Sequence, residues 1–133
     1  MRRSECSIGL LQSRRWPAIH LRIIQEPISR SELKSIADRG FGDMVKAVVD
    51  VTRRLMAVGG DLHSDEEAAL LDDGSRQQDL WGINLYLEES DDDWIEYDSV
   101  VNLRPSSGNR SRGVDDPGLR DRIRHIVASL VVD

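Results

Sequence analysis

Residues of the types that do chemistry gather in two short stretches. The first is Ser106-Ser107-Gly108-Asn109-Arg110-Ser111-Arg112-Gly113, which follows Asn102-Leu103-Arg104-Pro105 and leads into Asp116-Pro117. It concentrates Arg104, Arg110 and Arg112 in an otherwise acidic region. Forked guanidinium donors and backbone N–H groups just ahead of a helix N terminus are what a phosphate or carboxylate requires. Asn84, Asn102 and Arg104 fall on the polar side of neighbouring strands, where they would line one wall of the same cleft. Asn84, Asn102, Arg104, Asn109, Arg110 and Arg112 are therefore the candidate ligand-binding residues. The competing reading is internal, with Arg110 and Arg112 paired to Asp98, Asp115 or Asp116 so as to tie the last helix to the sheet.

The second stretch is Gly59-Gly60-Asp61-Leu62-His63-Ser64-Asp65-Glu66-Glu67. An imidazole beside carboxylates is a competent general base, which makes His63 with Asp65 or Glu66 the candidate catalytic set. Ser64 and Glu67 form a capping-box pattern. With Ser64 as the N-cap, His63 lies outside the helix and shares no face with Glu67, so the two do not form the ligand pair of an H-E-x-x-H helix. Carboxylates in a first helical turn also complement the helix dipole whatever the function. No metal site and no cofactor are expected.

The elements that must hold these stretches follow from periodicity and punctuation. Alternation over His20 to Ile24 marks a strand, and Ser29 with Glu32 caps a helix that carries Leu33, Ile36 and Ala37 and stops at Gly40. Val45, Ala47, Val49 and Val51 alternate with Lys46 and Asp50, and a second β-type run, Leu55 to Val58, ends at Gly59. These make a hairpin with a three-residue or bulged connection, the rival being one helix from Asp43 to Val58. A short second helix ends at Gly74. Leu80 to Leu87 and Ile95 to Arg104 form a second hairpin across the solvated acidic loop of residues 88–93. Asp116 and Pro117 start the last helix, whose stripe is Leu119, Ile123, Ile126, Val127 and Leu130. The order β-α-ββ-α-ββ-α defines an α+β domain with a mostly antiparallel sheet of about five strands and its helices on one face.

A chain of 133 residues suits one domain, placed at residues 19–133. Its net charge of −6 is unevenly spread: residues 1–31 carry six Arg against two Glu, and the remainder carries twelve basic against twenty-two acidic groups. Residues 1–18 read as a disordered basic extension. The acidic remainder repels nucleic-acid backbones, so nonspecific nucleic-acid binding is not expected of it. The longest apolar runs are too short to span a bilayer, which argues against a membrane protein. The single cysteine, Cys6, rules out an intramolecular disulfide, and a cytoplasmic location is expected.

The chain resembles a small prokaryotic family classed only as a domain of unknown function. The resemblance rests on residues 41–50, Phe-Gly-Asp-Met-Val-Lys-Ala-Val-Val-Asp, on Met56 to Glu67, on Asp79 to Asn84, and on Asn102 to Val114. It covers roughly residues 19–131, implies that residues 1–18 are an addition, and singles out His63 and the segment from Asn109 to Arg112. It brings no activity or cofactor with it. Three functions follow from the residues: a binding module for an anionic small molecule at the arginine loop; a hydrolase or transferase with His63 as base; and a structural protein, such as a homodimer burying Trp81 or Trp94. Whether His63 and Arg110 or Arg112 share a face of the domain separates them.

Overall fold

Valine content decides the first hairpin. β-branched side chains lose rotamers against a preceding helical turn but pack well on a pleated surface. Residues 44–58 accordingly form β3 (Met44–Asp50) and β4 (Leu55–Val58), antiparallel with Ala47 opposite Val58 and Asp50 opposite Leu55. The connection is four residues, longer than the sequence pattern implied. Asp50 organises it, its Oδ1 accepting from the N–H groups of Thr52 and Arg53 at 2.9 Å each. The computed structural model describes residues 21–133, so the extension expected over residues 1–18, and His20 at the head of the first strand, lie outside the described residues.

β5 (Leu80–Tyr86) pairs with the whole of β3, β1 (Arg22–Ile24) with β4, and β6 (Ile95–Glu96) with the end of β5. The sheet order is β1-β4-β3-β5-β6, every pair antiparallel. With α1 (Arg30–Arg39), α2 (His63–Asp72) and α3 (Pro117–Leu130), this is the α+β domain that the sequence indicated. The expected caps form: Ser29 Oγ accepts from Glu32 N–H at 3.0 Å, and Asp116 Oδ1 from Gly118 N–H at 2.9 Å. A separate parallel pair, β2 (Ile28–Ser29) with β7 (Val131–Val132), was not legible, since two residues carry no period.

The helices do not all lie on one face. Val45, Ala47, Val49, Met56, Val58, Ile83 and Leu85 point to α1 and α3 and build the larger core with Leu33, Ile36, Ile123, Ile126 and Val127. Val48, Leu55, Ala57 and Leu80 point the other way and pack against Leu70 of α2. The second face mixes these apolar residues with Lys46 and Asn84; it is too apolar to face water alone and too polar to have been read as core. Trp81 belongs to the larger core at 8% exposure, which removes it from any dimer surface. Trp94 carries the guanidinium of Arg30 at 4.3 Å from its ring centroid.

Two expected boundaries are corrected. α2 begins at His63, with Leu62 at the N-cap and no side-chain cap bond, so Ser64 lies inside the helix rather than ahead of it. The strand expected from Ile95 to Arg104 stops at Glu96 and gives way to 3-10 turns at Val100–Asn102 and Pro105–Ser107. Ser99 is the local cause: its Oγ accepts from Val101 N–H at 3.2 Å, a side-chain bond that competes with the ladder. No helix among the described residues is long and apolar enough to cross a membrane.

Candidate functional site

Where β6 ends, the arginine loop takes over the edge of β5. A strand edge with nothing beside it leaves N–H and C=O groups that must find partners. Asn102, wholly buried, supplies them: its Oδ1 accepts from Gly82 N–H at 2.8 Å, and its Nδ2 donates to the Gly82 carbonyl at 3.0 Å and to the Arg112 carbonyl at 2.9 Å. Gly82 has to be glycine for this. A Cβ there would lie 2.6 Å from Ser99 Cβ and 2.7 Å from Ser99 Oγ. Arg104 continues along the edge, donating to the carbonyl of Leu80 and, at 3.4 Å, of Gln78, while its guanidinium stacks 4.3 Å from the Trp81 ring centroid.

Asn109 holds the loop from inside. Its Nδ2 reaches the carbonyls of Asn102 and Gly113 at 2.8 Å and of Ser111 at 3.1 Å, and its Oδ1 accepts from Asp115 N–H at 2.8 Å. Arg110 bonds through its backbone N–H to Asp115 Oδ2 at 2.9 Å. Arg112 donates from Nε to Asp98 Oδ1 at 2.7 Å in a pair about half exposed on both sides. Of the loop candidates, Asn102, Arg104 and Asn109 are thus engaged with the chain's own backbone, and Arg110 and Arg112 keep their charged ends at the surface.

A different grouping forms under α2. His63, 7% exposed, sits in the first turn with Nε2 2.8 Å from the carbonyl of Ile83. A carbonyl only accepts, so Nε2 carries the proton and Nδ1 is left as the lone-pair nitrogen. Burial lowers the His63 pKa from 6.5 against the opposing pull of the Ile83 carbonyl; the charges of Lys46 and Arg112 also lower it and that of Asp98 raises it. The charge on Arg112, held by Asp98, is thus felt at His63, although the Arg112 side chain bonds Asp98 and not the imidazole. Because His63 lies within α2, it shares a side of the helix with Glu66 and Glu67, contrary to the sequence reading.

Glu66, at 0% exposure, accepts from Gly60 N–H at 2.9 Å through Oε2, and its Oε1 has no hydrogen-bond partner. Burial pushes its pKa well above 4.5, with the Gly60 N–H and Lys46 opposing. The charge of Lys46 lowers the pKa of both groups, and Lys46 lies directly across the β3–β5 ladder from Asn84. Its ammonium lies 5.3 Å from the Phe41 ring centroid and makes no ion pair among the described residues. Beside it is a small pocket lined in part by Arg39, Phe41, Gly59, Gly60 and Asp61. Asn84, 6% exposed, donates to Glu96 Oε1 at 2.8 Å and to the Asp98 carbonyl at 3.4 Å, and its Oδ1 is buried without a partner.

The structure thus brings His63, Glu66 and Asn84 together among the sequence candidates, with Arg112 linked to them only through its charge and its pairing with Asp98, whose carbonyl accepts from Asn84. Arg104 is held at the start of β5, Asn102 and Asn109 are inside the loop, and Asp65 makes no bond to His63. Sequence reasoning overlooked Lys46 and Glu96 as members. Their signal was their position: each is polar at an alternate site next to core residues, but only the placement of α2 shows that this face is covered. Among the described residues no three His, Cys, Asp or Glu side chains converge as metal ligands would.

Fold and site together define a single-domain α+β protein with a helix-covered polar cluster on the second face of its sheet. The chain belongs to the family described as Protein of unknown function (DUF5674), which matches residues 22–130 and so spans both chemistry-bearing stretches. No curated protein and no solved structure matches it.

Proposed function

We propose that the protein is a binding module for a small anionic ligand, phosphate- or carboxylate-bearing, taken at the start of α2 rather than at the arginine loop. The observation that carries this reading is Lys46: an ammonium without an ion pair among the described residues, whose charge reaches buried His63 and Glu66 near a helix N terminus that has no side-chain cap. A helix start and a fixed cation attract the same charge. The Gly59-Gly60 turn adds backbone that a ligand can approach closely, and Arg39 lines the same pocket. Glu66 would oppose an anion if ionised. Its burial favours the neutral carboxyl, and with Oε2 accepting from Gly60, the proton falls on Oε1, which then donates. Arg112, tethered to Asp98 and half exposed, adds a positive charge that is felt at His63.

The test is a thermal-shift and calorimetric screen against inorganic phosphate, nucleotides, sugar phosphates and small carboxylates. A ligand at a hundred times its dissociation constant stabilises the fold by about 2.7 kcal/mol. Lys46→Ala should abolish that shift and Arg104→Ala should leave it. No shift with any anion, or equal shifts in wild type and Lys46→Ala, removes the reading.

A second reading, proton transfer by His63 in a hydrolase or transferase, is favoured by its fixed Nε2–H and its lowered pKa, which together keep Nδ1 available as a base near neutral pH. It predicts that a bound phosphate ester is consumed, followed by phosphorus NMR, and that His63→Gln retains binding and stops turnover.

A further inference from the structure

We propose that the ligand carries a hydroxyl or amine next to its anionic group, so that the site selects hydroxylated phosphates or carboxylates over bare or alkyl anions. This rests on the anion reading above and extends it from charge to chemical class.

The inference comes from what the cluster leaves over. Asn84 is fixed in one orientation, because both partners of its Nδ2, the Glu96 carboxylate and the Asp98 carbonyl, accept only. Turning the amide over would set oxygen against oxygen twice. Oδ1 is therefore held on the opposite side of the amide, buried and without a partner. As the cross-strand neighbour of Lys46, Asn84 shares the face that α2 covers. The ring of His63 is anchored on the carbonyl of Ile83, the residue immediately before Asn84, and its Nδ1 is also an acceptor. One acceptor on β5 and one on α2, its ring anchored a single residue away, thus belong to the face that carries Lys46.

A carboxylate or a fully ionised alkyl phosphate presents only acceptors and can satisfy neither. Lys46 and the start of α2 suit the acidic end of a ligand, whereas Asn84 Oδ1 and His63 Nδ1 suit an O–H or N–H a short distance along it. A buried polar atom with no partner costs free energy in the empty protein, and a matching donor recovers it on binding.

Matched pairs test this on the full chain by calorimetry: glycerol phosphate against propyl phosphate, and glycerate against propionate. The hydroxylated member of at least one pair should bind about tenfold tighter or more, equivalent to about 1.4 kcal/mol, and should move the Asn84 side-chain NH₂ resonances. Asn84→Leu should abolish the preference. Should that variant unfold, the wild-type comparison decides alone. Equal affinities within both pairs, with the Asn84 resonances unmoved, overturn the inference while anion binding stands. Absence of binding by all four overturns both.

Discussion

The arginine loop and the face beneath α2 are made of the same kinds of residue and use them in opposite ways. In the loop, Asn102 and Asn109 engage both ends of their amides with backbone, and Arg104 lies along the edge of β5. Under α2, Asn84 and Glu66 each engage one end and leave a buried oxygen open, and Lys46 has no counter-ion among the described residues. A cluster of arginines and asparagines is thus not evidence of a ligand until its hydrogen bonds are counted. What distinguishes the two is the kind of capacity left open: buried acceptor oxygens of Glu66 and Asn84 under α2, against the one buried Nε of Arg104 in the loop, whose other guanidinium nitrogens are bonded.

The strongest challenge to this contrast is Asn102→Ala. It strips the N–H and carbonyl of Gly82 of a partner and leaves the Arg112 carbonyl with Ser99 N–H alone, and should lower stability by about 3 kcal/mol in denaturant unfolding. A loss below about 1 kcal/mol would mean that the loop does not cap β5. Gly82→Ala attacks the same junction sterically and should cost about 1–3 kcal/mol. Hydrogen exchange should show the loss of protection concentrated in residues 99–112, with the β3–β4 hairpin spared.

On the other side, pH sharpens the comparison. Glu66 holds its proton more tightly when folded, so its contribution is complete below 4.5 and is lost as pH rises through its raised value. Glu66→Gln should therefore gain in melting temperature over wild type as pH climbs from 4.5. His63 has the reverse sign, its folded pKa being depressed, so stability falls as pH drops below 6.5, and His63→Gln should remove that acid limb. Equal pH dependence in wild type and both variants would show that neither group is perturbed. The smallest effect belongs to Arg112→Ala. Its exposed pair should change stability by no more than about 0.5 kcal/mol, with anion affinity falling severalfold.

Much of the fold was legible because its signals are local. Ser29, Asp116 and Pro117 cap their helices wherever the rest of the chain goes, and the valines of β3 exclude a helix by crowding alone. The failures were those of long-range partners. Nothing near Lys46, Val48 or Ala57 announces that α2 will cover them, and so one face was assigned to solvent. Nothing in the alternation of residues 95–104 reveals that Ser99 and Asn102 will bond backbone groups and end the strand. Ser64 looked like a cap by type, but the N-cap falls two residues earlier, at Leu62. Of the proposed site, His63, Glu66, Asn84 and Arg112 were candidates by chemical type, whereas Lys46 needed its neighbours to be seen.

The parallel pair of β2 and β7 joins residues about a hundred positions apart. Ser29 serves both this pair and the start of α1, since its side chain caps that helix. Closing so long a loop carries an entropy cost that rises only with the logarithm of its length, so a two-residue clasp can hold it once the core has formed. The domain is therefore close to circular in connectivity. The first helix has its final anchor only when the last few residues are in place, and shortening the chain at residue 130 would loosen an element at its opposite end.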